Sequence, residues 1–239
     1  MNYRWNWEIL LQEPYWSWIW SGLEWTILIS LSSWCVALVV GTLFGIARTA
    51  SNRAVRAAAD IYVGLFRNVP PLVQLFLWYS VFPEVLPEAL GLWVKRDMPS
   101  PQFVTAAVAI GLFMAARVAE QVRAGIGAVG LRLLPAALAT GLRPWQAYRL
   151  ILLPLGLRAI TKPLTSEFLI TVKMSSIALT IGVLELTAES RHIENYTFQG
   201  FEAFGVATLI YLLLGLGVTG VMSLVDRYFG GDKLRRGDR

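Results

Sequence analysis

The residues with the most chemical potential in this chain are charged or hydroxylated side chains set within or beside long apolar stretches. An ionisable side chain at bilayer depth costs at least ~2.5 kcal/mol on insertion scales, so such residues usually face a cavity and act there. We therefore expect a solute pathway to be lined by Arg67, Arg117, Glu120, Arg123, Lys173, Ser175 and Ser176.

Three of these residues, Arg117, Glu120 and Arg123, recur at i, i+3 and i+6 and share one broad helix face. Two interpretations stand side by side. Glu120 can neutralise one arginine in a cluster at the cytoplasmic end of a helix, or the surplus positive charge can line the pathway. In the second case a guanidinium would bind a substrate carboxylate through two parallel hydrogen bonds. Arg117 is our leading candidate for that contact, because it lies further from the predicted boundary than Arg123.

Two further polar breaks interrupt the apolar stretches. Lys173, Ser175 and Ser176 lie together, and polar groups at depth are tolerated where they line a cavity. We favour this pathway role over helix packing by the serines. Arg67, beside Asn68 and the Pro70-Pro71 pair, marks the other break. Helix packing and gating are equally good interpretations there.

The elements that position these side chains follow from hydropathy. The chain has 239 residues, of which 56% are hydrophobic and 15% charged, whereas soluble domains carry about 25% charged residues. A spanning helix needs ~20 predominantly apolar residues. We predict an all-α integral membrane protein, a single domain over 1–239 with about five transmembrane helices at 25–47, 57–82, 103–119, 164–184 and 203–224.

Basic residues are distributed unevenly between the two predicted sides. Fourteen Lys and Arg residues lie in the first loop, in the segment from Arg123 to Lys162 and in the tail from Arg227, against four on the other side. The positive-inside rule then predicts an N-terminus outside and a C-terminus in the cytoplasm.

The coupling segment, as we call residues 130–156, is too polar and too broken to span a bilayer, and the charge count assigns it to the cytoplasm. Pro135 can begin a short helix, where its missing N–H is not needed. Gly141 can end that helix in a left-handed conformation. Pro144 can begin a second helix and Pro154 can end it. The segment predicts a rigid helix pair that fits a partner's groove, and the alternative is an arginine-rich amphipathic helix on anionic lipid.

The coupling segment resembles the EAA motif of the permease subunits of ATP-driven (ABC) importers: Glu-Ala-Ala, three residues, Gly, nine residues, Ile, one residue, Leu-Pro. This chain has Pro135-Ala136-Ala137, then Gly141, then Ile151 and Leu153-Pro154 at the same spacing. Pro135 stands where the family has glutamate. The resemblance implies contact with an ATPase by Pro135, Ala136, Ala137, Gly141, Arg143, Trp145, Arg149 and Pro154.

Other blocks resemble the polar amino-acid branch of the same permeases. They are "LFRNVPPLVQLF" from Leu65, "ARVAEQVRAGI" from Ala116 and "LTSEFLITVKMSSIALTIG" from Leu164. Gly64 stands where that branch commonly has glutamate. The opening "WNWEILLQ" and the first two blocks are most similar to glutamate/aspartate permeases.

This resemblance implies a type I importer permease of the bacterial inner membrane that moves a polar, acidic amino acid. It implies three protein partners: an ATP-binding subunit, a second permease chain of the same or similar kind, and a periplasmic amino-acid-binding protein.

Several function classes are excluded by what the sequence lacks. A P-loop needs a lysine after a glycine, G-x-x-x-x-G-K-[ST], and none of the four lysines follows one. There is no H-E-x-x-H motif, and Cys35 is the one cysteine. We expect no catalytic residue, metal or cofactor in the chain, with His192 in an outward-facing loop. In a membrane protein the net charge of +5 reflects topology and not nucleic-acid binding.

Two alternatives remain from the residues alone. An ion-coupled secondary transporter or channel would work without an ATPase, and predicts an internal repeat and a carboxylate near mid-membrane. A membrane scaffold without transport would leave Arg117 and Lys173 unexplained.

Overall fold

The computed structural model describes residues 3–229, in which all the regular secondary structure is helical. Within these residues, four helical stretches are long and apolar enough to cross a membrane: Tyr15–Ala47, Pro101–Ala139, Thr161–Ile181 and Gly200–Asp226. The all-α membrane class is confirmed. The basic tail beyond residue 229, which contributed to the predicted orientation, lies outside the described residues.

The first span is longer than its predicted range of 25–47. A 3₁₀ turn, Trp7–Leu11, precedes helix α1, Tyr15–Ala47. Hydropathy missed the first ten residues of α1 because they carry tryptophans, serines and Glu24. Asn52 then caps helix α2, Arg53–Asn68, by accepting hydrogen bonds at its Oδ1 from the backbone N–H groups of Ala54, at 2.8 Å, and Val55, at 3.3 Å.

The predicted second span, 57–82, is not one helix, and the chain divides at the polar break that the sequence indicates there. Helix α2 ends at Asn68, and Val69 and Pro70 are extended. Proline disfavours helical geometry at the residue before it and offers no N–H, so the Pro70-Pro71 pair divides the stretch. A second helical run follows, composed of α3, Pro71–Phe76, a π-helical turn, Leu77–Val81, and α4, Phe82–Val85.

Helix α6, Pro101–Ala139, is far longer than the predicted third span of 103–119. Before it come α5, Glu88–Leu92, and a π-helical turn, Trp93–Asp97. Helix α6 continues through Pro135, which therefore lies inside a helix and does not begin one. Leu131, whose carbonyl would pair with the missing Pro135 N–H, is among the most exposed residues. The first part of the coupling segment is thus the end of a long helix.

The rest of the described chain, up to residue 229, forms one interrupted helical run and three further helices. The run comprises α7, Pro144–Ala147, a π-helical turn, Tyr148–Leu152, and α8, Leu153–Ala159. Helix α9, Thr161–Met174, passes into a 3₁₀ stretch, Ser175–Ile181, which Gly182 ends at φ +88°. Helices α10, Leu186–Thr197, and α11, Gly200–Phe229, complete the order.

The chain groups into two compact units, and the single domain over 1–239 stays a prediction. The described parts of Met1–Trp34, Pro70–Gly111 and Ile170–Gly217 form the first unit, and those of Cys35–Val69, Leu112–Leu169 and Val218–Arg239 form the second. In the first unit, Leu10, Ile19, Leu186 and Ile193 belong to one buried apolar cluster. In the second, Val63 packs with Ala116 and Ala119. Each of the long helices contributes to both units.

Close backbone approach at two glycines joins α1 to α6 within the second unit. A Cβ on Gly41 would lie 2.6 Å from the Val118 Cβ, and one on Gly45 would lie 2.5 Å from the Val122 Cβ. These distances are too short for any side chain. The Gly41-x-x-x-Gly45 spacing is the small-residue pattern by which membrane helices pack.

A second close approach joins α6 to α8. A Cβ on Gly125 would lie 2.6 Å from the Gly156 carbonyl oxygen, and one on Gly156 would lie 2.9 Å from the Ile126 Cα. Backbone, and not the end of a flexible side chain, would oppose a larger residue at either position. Helix α6 is therefore held tightly on both sides.

We predict that Gly45→Leu destabilises the purified protein. Overpacking a tight contact costs typically 1–3 kcal/mol, and here Val122 and the Ala119 carbonyl leave no room. Thermal unfolding in detergent should show a lowered midpoint. Gly127→Leu is the matched control, because a Cβ at Gly127 meets nothing within 4 Å. Equal midpoints for the two variants would contradict the close α1–α6 contact.

Candidate functional site

The Glu120 carboxylate lies at the centre of an ion cluster in the second unit. Its Oε1 accepts hydrogen bonds from the Arg123 Nη2 and Nε, the latter at 3.2 Å. Its Oε2 pairs with the Arg48 Nη1 and lies 3.5 Å from the Arg67 Nη1. The structure thus brings together three of the predicted pathway residues and adds Arg48, which the sequence reading counted only as a loop charge.

Arg48 is the most enclosed guanidinium of this cluster, with 14% of its side chain exposed. It follows the last residue of α1, and its N–H still donates to the Phe44 carbonyl at 3.0 Å. Its Nε lies 2.6 Å from the Asp60 Oδ1 on α2. Arg48 therefore bridges α2 and α6 from the end of α1. A fully charged cluster of three arginines and two carboxylates carries a net charge of +1.

Arg117 pairs with Glu167 and not with Glu120, so the sequence-based view of one shared carboxylate is corrected. The Arg117 Nε lies 2.6 Å from the Glu167 Oε2, and its Nη2 lies 3.4 Å from the Oε1. The Gln121 Nε2 also donates to that Oε1, at 3.1 Å. The Glu167 side chain is 6% exposed and that of Arg117 is 36% exposed. A buried carboxylate on α9 thus holds a half-exposed guanidinium on α6.

The charged side chains of the second unit are mostly paired with one another. In the second unit, four arginines face Asp60, Glu120 and Glu167. Buried charges persist only when they are paired or hydrogen-bonded. The carboxylates therefore neutralise most of the cluster, and one positive charge remains.

Lys173 is an exposed cation in the last turn of α9. Over residues 3–229, the structure gives it no ion pair. Both neighbouring serines use their hydroxyls locally: Ser175 donates to the Val172 carbonyl at 2.8 Å and Ser176 to the Lys173 carbonyl at 2.9 Å. Such back-bonding bends or tightens a helix, here at the change to 3₁₀ geometry. Ser175 is fully buried, so within this chain its geometry fits a helix-shaping role better than the predicted pathway role.

Gly141 ends α6 in the left-handed conformation that the sequence predicted, with φ +88°. The Gly141 N–H donates to the Leu138 carbonyl at 3.0 Å, and the Leu142 N–H donates to the Ala137 carbonyl at 3.3 Å. This pair of bonds is the Schellman motif. A Cβ on Gly141 would meet nothing within 4 Å, so the backbone angle alone requires glycine here.

Pro144 begins the next helix, as predicted, but Pro154 does not end it, and that prediction is wrong. The helical run continues to Ala159. In the π-helical turn before Pro154, the Leu153 N–H donates to the Tyr148 carbonyl, five residues back. This wider turn accommodates a proline, because the ordinary hydrogen-bond ladder is already interrupted.

The exposed side of this helix carries an aromatic and a basic residue. Trp145 is 58% exposed, and the guanidinium of Arg149 lies 5.8 Å from the centre of its ring. Arg143 precedes the helix, and its N–H donates to the Gln146 Oε1 at 2.9 Å. Of the alanines in the motif, Ala137 is buried and Ala136 is exposed. The surface that remains for a partner therefore centres on Trp145 and Arg149.

Two of the buried carboxylates in the first unit, Glu185 and Glu189, lie close together in sequence and had no signal in the hydropathy pattern. Glu185 caps α10 and accepts hydrogen bonds from the Ala188 N–H at 2.9 Å and the Tyr211 hydroxyl at 2.8 Å. Burial raises the pKa of Glu185, and burial also raises the pKa of Glu189. The His192 Nδ1 lies 3.4 Å from the Glu189 Oε2. His192 is in a helix and not in a loop, so that expectation is corrected.

The family comparison gives one match over most of the chain. Residues 37–230 match the family described as binding-protein-dependent transport system inner membrane component. The chain is 45% identical over 235 residues to the glutamate/aspartate import permease protein GltJ of Escherichia coli (strain K12), covering 95% of this chain and 96% of that protein. It is 28% identical to the glutamate/aspartate import permease protein GltK of Escherichia coli O6:H1, covering 94% and 98%.

A solved structure agrees with this relation. The chain superposes with a TM-score of 0.80 and 26% identity on a crystal structure of an amino acid ABC transporter with histidines, covering 95% of this chain and 100% of that one. The alternative of an ion-coupled transporter acting alone is thereby set aside. The chain belongs to the family of inner-membrane components of binding-protein-dependent transport systems.

Proposed function

We propose that this chain is the permease subunit of an ATP-driven importer for an acidic amino acid, glutamate or aspartate. The half-exposed guanidinium of Arg117, held in place by the buried Glu167, carries the substrate part of this proposal. The similarity to GltJ over nearly the whole chain supports the same substrate class.

Arg117 is suited to bind a carboxylate because of how Glu167 holds it. Glu167 accepts hydrogen bonds from the Nε and Nη2 of Arg117. The described residues make no hydrogen bond to the Arg117 Nη1. A guanidinium offers five N–H donors in a planar fork, so the opposite edge can still bind a second carboxylate with two parallel hydrogen bonds. A fixed donor loses less entropy on binding than a mobile one.

Lys173, in the first unit, is proposed separately as a pathway residue, because it is exposed in an apolar span and has no ion pair among the described side chains. A free acidic amino acid carries two carboxylates and one ammonium, so its net charge is −1. Arg67, Glu120 and Arg123 are paired with one another in the cluster around Glu120, which fits a structural role near the pathway better than direct substrate contact.

The coupling segment is the proposed docking element for the separate ATPase. Gly141 fixes the angle at which the second helix leaves α6, and that helix exposes Trp145 and Arg149. Aromatic and arginine side chains are enriched in the central contacts of protein interfaces. The EAA-like spacing supports the same assignment.

The proposed assembly contains a second permease chain, a periplasmic binding protein and the ATPase. The similarity to both GltJ and GltK, two permeases named for the same substrates, supports a pair of similar chains. The uneven distribution of Lys and Arg supports an N-terminus outside and a C-terminus in the cytoplasm.

Uptake by the reconstituted complex tests the substrate. With the ATPase and the glutamate-loaded binding protein, proteoliposomes should accumulate radiolabelled glutamate only when ATP is supplied, and glutamine far less. Arg117→Gln should reduce glutamate uptake by about ten- to a hundredfold, because a charge-assisted hydrogen bond contributes about 1.5–3 kcal/mol.

The control for this test is the double variant Arg117→Gln/Glu167→Gln. It removes both charges together, so no buried carboxylate is left unpaired. It should retain the thermal midpoint and the basal ATPase rate of the complex but still lose glutamate uptake. Unchanged glutamate uptake in this variant would exclude Arg117 from the pathway. Equal uptake of glutamine and glutamate by the unsubstituted complex would refute an acidic substrate.

Gly141→Val tests the coupling segment. A branched residue at φ +88° is strained by about 1–3 kcal/mol, so the two helices should lose their relative angle. Transport should fall about tenfold or more while the chain still inserts in the membrane. Gly141→Asn is the matched variant, since asparagine tolerates the left-handed region, and it should retain most transport. If Gly141→Val retains both ATPase association and transport, the segment is not the docking element.

Orientation is tested with a reporter enzyme that is active only outside the cytoplasm. Fused after residue 239 it should be inactive, and fused at the N-terminus it should be active. The physical reason is the excess of basic residues in the loops predicted to be cytoplasmic. Activity at residue 239 would reverse the proposed topology.

A further inference from the structure

We propose that Arg48 and Thr49, at the end of α1, are the positioning residues through which the coupling segment acts on the ion cluster around Glu120. This inference rests on the proposed function, and adds to it a set of contacts that link the coupling segment to the transmembrane helices. All of its contacts lie within the second compact unit.

The first contact joins the coupling segment to the end of α1. The Thr49 Oγ1 and the Tyr148 Oη lie 2.7 Å apart. The Thr49 hydroxyl also donates to the Ile46 carbonyl at 2.8 Å. A hydroxyl has one proton, so Tyr148 must be the donor to Thr49. Tyr148 is the first residue of the π-helical turn, where the coupling segment departs from α-helical geometry.

The second contact joins the end of α1 to two other helices. Arg48 is the covalent neighbour of Thr49, and its guanidinium engages Asp60 on α2 and Glu120 on α6 at once. Because only 14% of the Arg48 side chain is exposed, solvent screens these ion pairs less than it screens surface pairs. A displacement of Thr49 must therefore either move Asp60 and Glu120 or break their bonds to Arg48.

The packing around these polar contacts is stiff. Gly45 lies one turn before Thr49, and its contact with Val122 leaves no room for a Cβ. Gly156, beyond the π-helical turn, also leaves no room for a Cβ, which would lie 2.9 Å from the Ile126 Cα on α6. The coupling segment is thus linked to α6 in two ways. One is the packing of Gly156 against Ile126, and the other is the chain of polar contacts through Tyr148, Thr49 and Arg48. The hydrogen bonds and ion pairs of Tyr148, Thr49 and Arg48 can break and re-form without leaving a cavity. This suits a movement that must reverse in each transport cycle.

The experiment uses the full complex of permease, ATPase and binding protein in lipid nanodiscs. The readouts are ATPase co-purification, the basal ATPase rate, and the factor by which loaded binding protein stimulates that rate. Tyr148→Phe and Thr49→Val should each lower the stimulation factor about two- to tenfold, the range expected for one neutral hydrogen bond. ATPase co-purification and the basal rate should not change.

Two matched variants separate this linkage from general loosening. Thr49→Ser retains the acceptor hydroxyl and should retain full stimulation. Tyr62→Phe removes another tyrosine hydroxyl of the same unit, which donates to the Leu112 carbonyl at 2.8 Å, and should also retain it. The double variant Tyr148→Phe/Thr49→Val should be no worse than either single variant, because both remove the same contact.

The bridge itself is tested with Arg48→Lys. An ammonium is a point donor and cannot reproduce the planar fork that reaches Asp60 and Glu120 together, so stimulation should fall at least as far as in Tyr148→Phe. Full stimulation in Arg48→Lys or in Tyr148→Phe would overturn the linkage. A loss of stimulation in Tyr62→Phe equal to that in Tyr148→Phe would also overturn it. If the unsubstituted chain fails to co-purify with an ATPase, the proposed function fails and this inference fails with it. If the wild-type complex is stimulated and the variants are stimulated to the same extent, the inference is refuted but the proposed function is not.

Discussion

The close approach of α6 to its neighbours is the constraint on which the second unit depends. Glycines at 41, 45, 125 and 156 bring backbones so near that a Cβ at any of them would collide with a neighbour. In lipid, helices gain little from hydrophobic association, so such packing and interhelical polar contacts hold them together. Helix α6 is also the helix that continues into the coupling segment. A tightly held helix of this kind can carry a movement between its two ends.

The charges follow from this packing. Helices this close bring the ends of α1 and α2 beside Glu120, and place Glu167 of α9 beside Arg117. Ionisable groups within membrane-spanning helices cost free energy unless they are paired, and these groups are paired. The surplus that remains is small, which fits a pathway that must admit an anion and then release it.

The sequence predicted the helical class, Gly141 as a left-handed terminus and Pro144 as a helix start, because local chemistry decides these features. It failed where tertiary context decides. Pro135 continues a helix because its solvent-exposed neighbours need no hydrogen bond from it, and a π-helical turn lets the chain pass Pro154. The pairing of Arg117 with Glu167 joins residues 50 positions apart, which helical spacing cannot reveal. Arg48 gave no signal beyond its position after an uncharged run.

The proposed function requires that the helix after Gly141 meet an ATPase and transmit its movement to α6. A photocrosslinking amino acid at position 145, in the complete complex, tests that contact directly. We expect an ATP-dependent crosslink to the ATPase from position 145 and none from position 196, where Tyr196 is also exposed but lies in the first unit. No crosslink from position 145, or equal crosslinks from both positions, would contradict it.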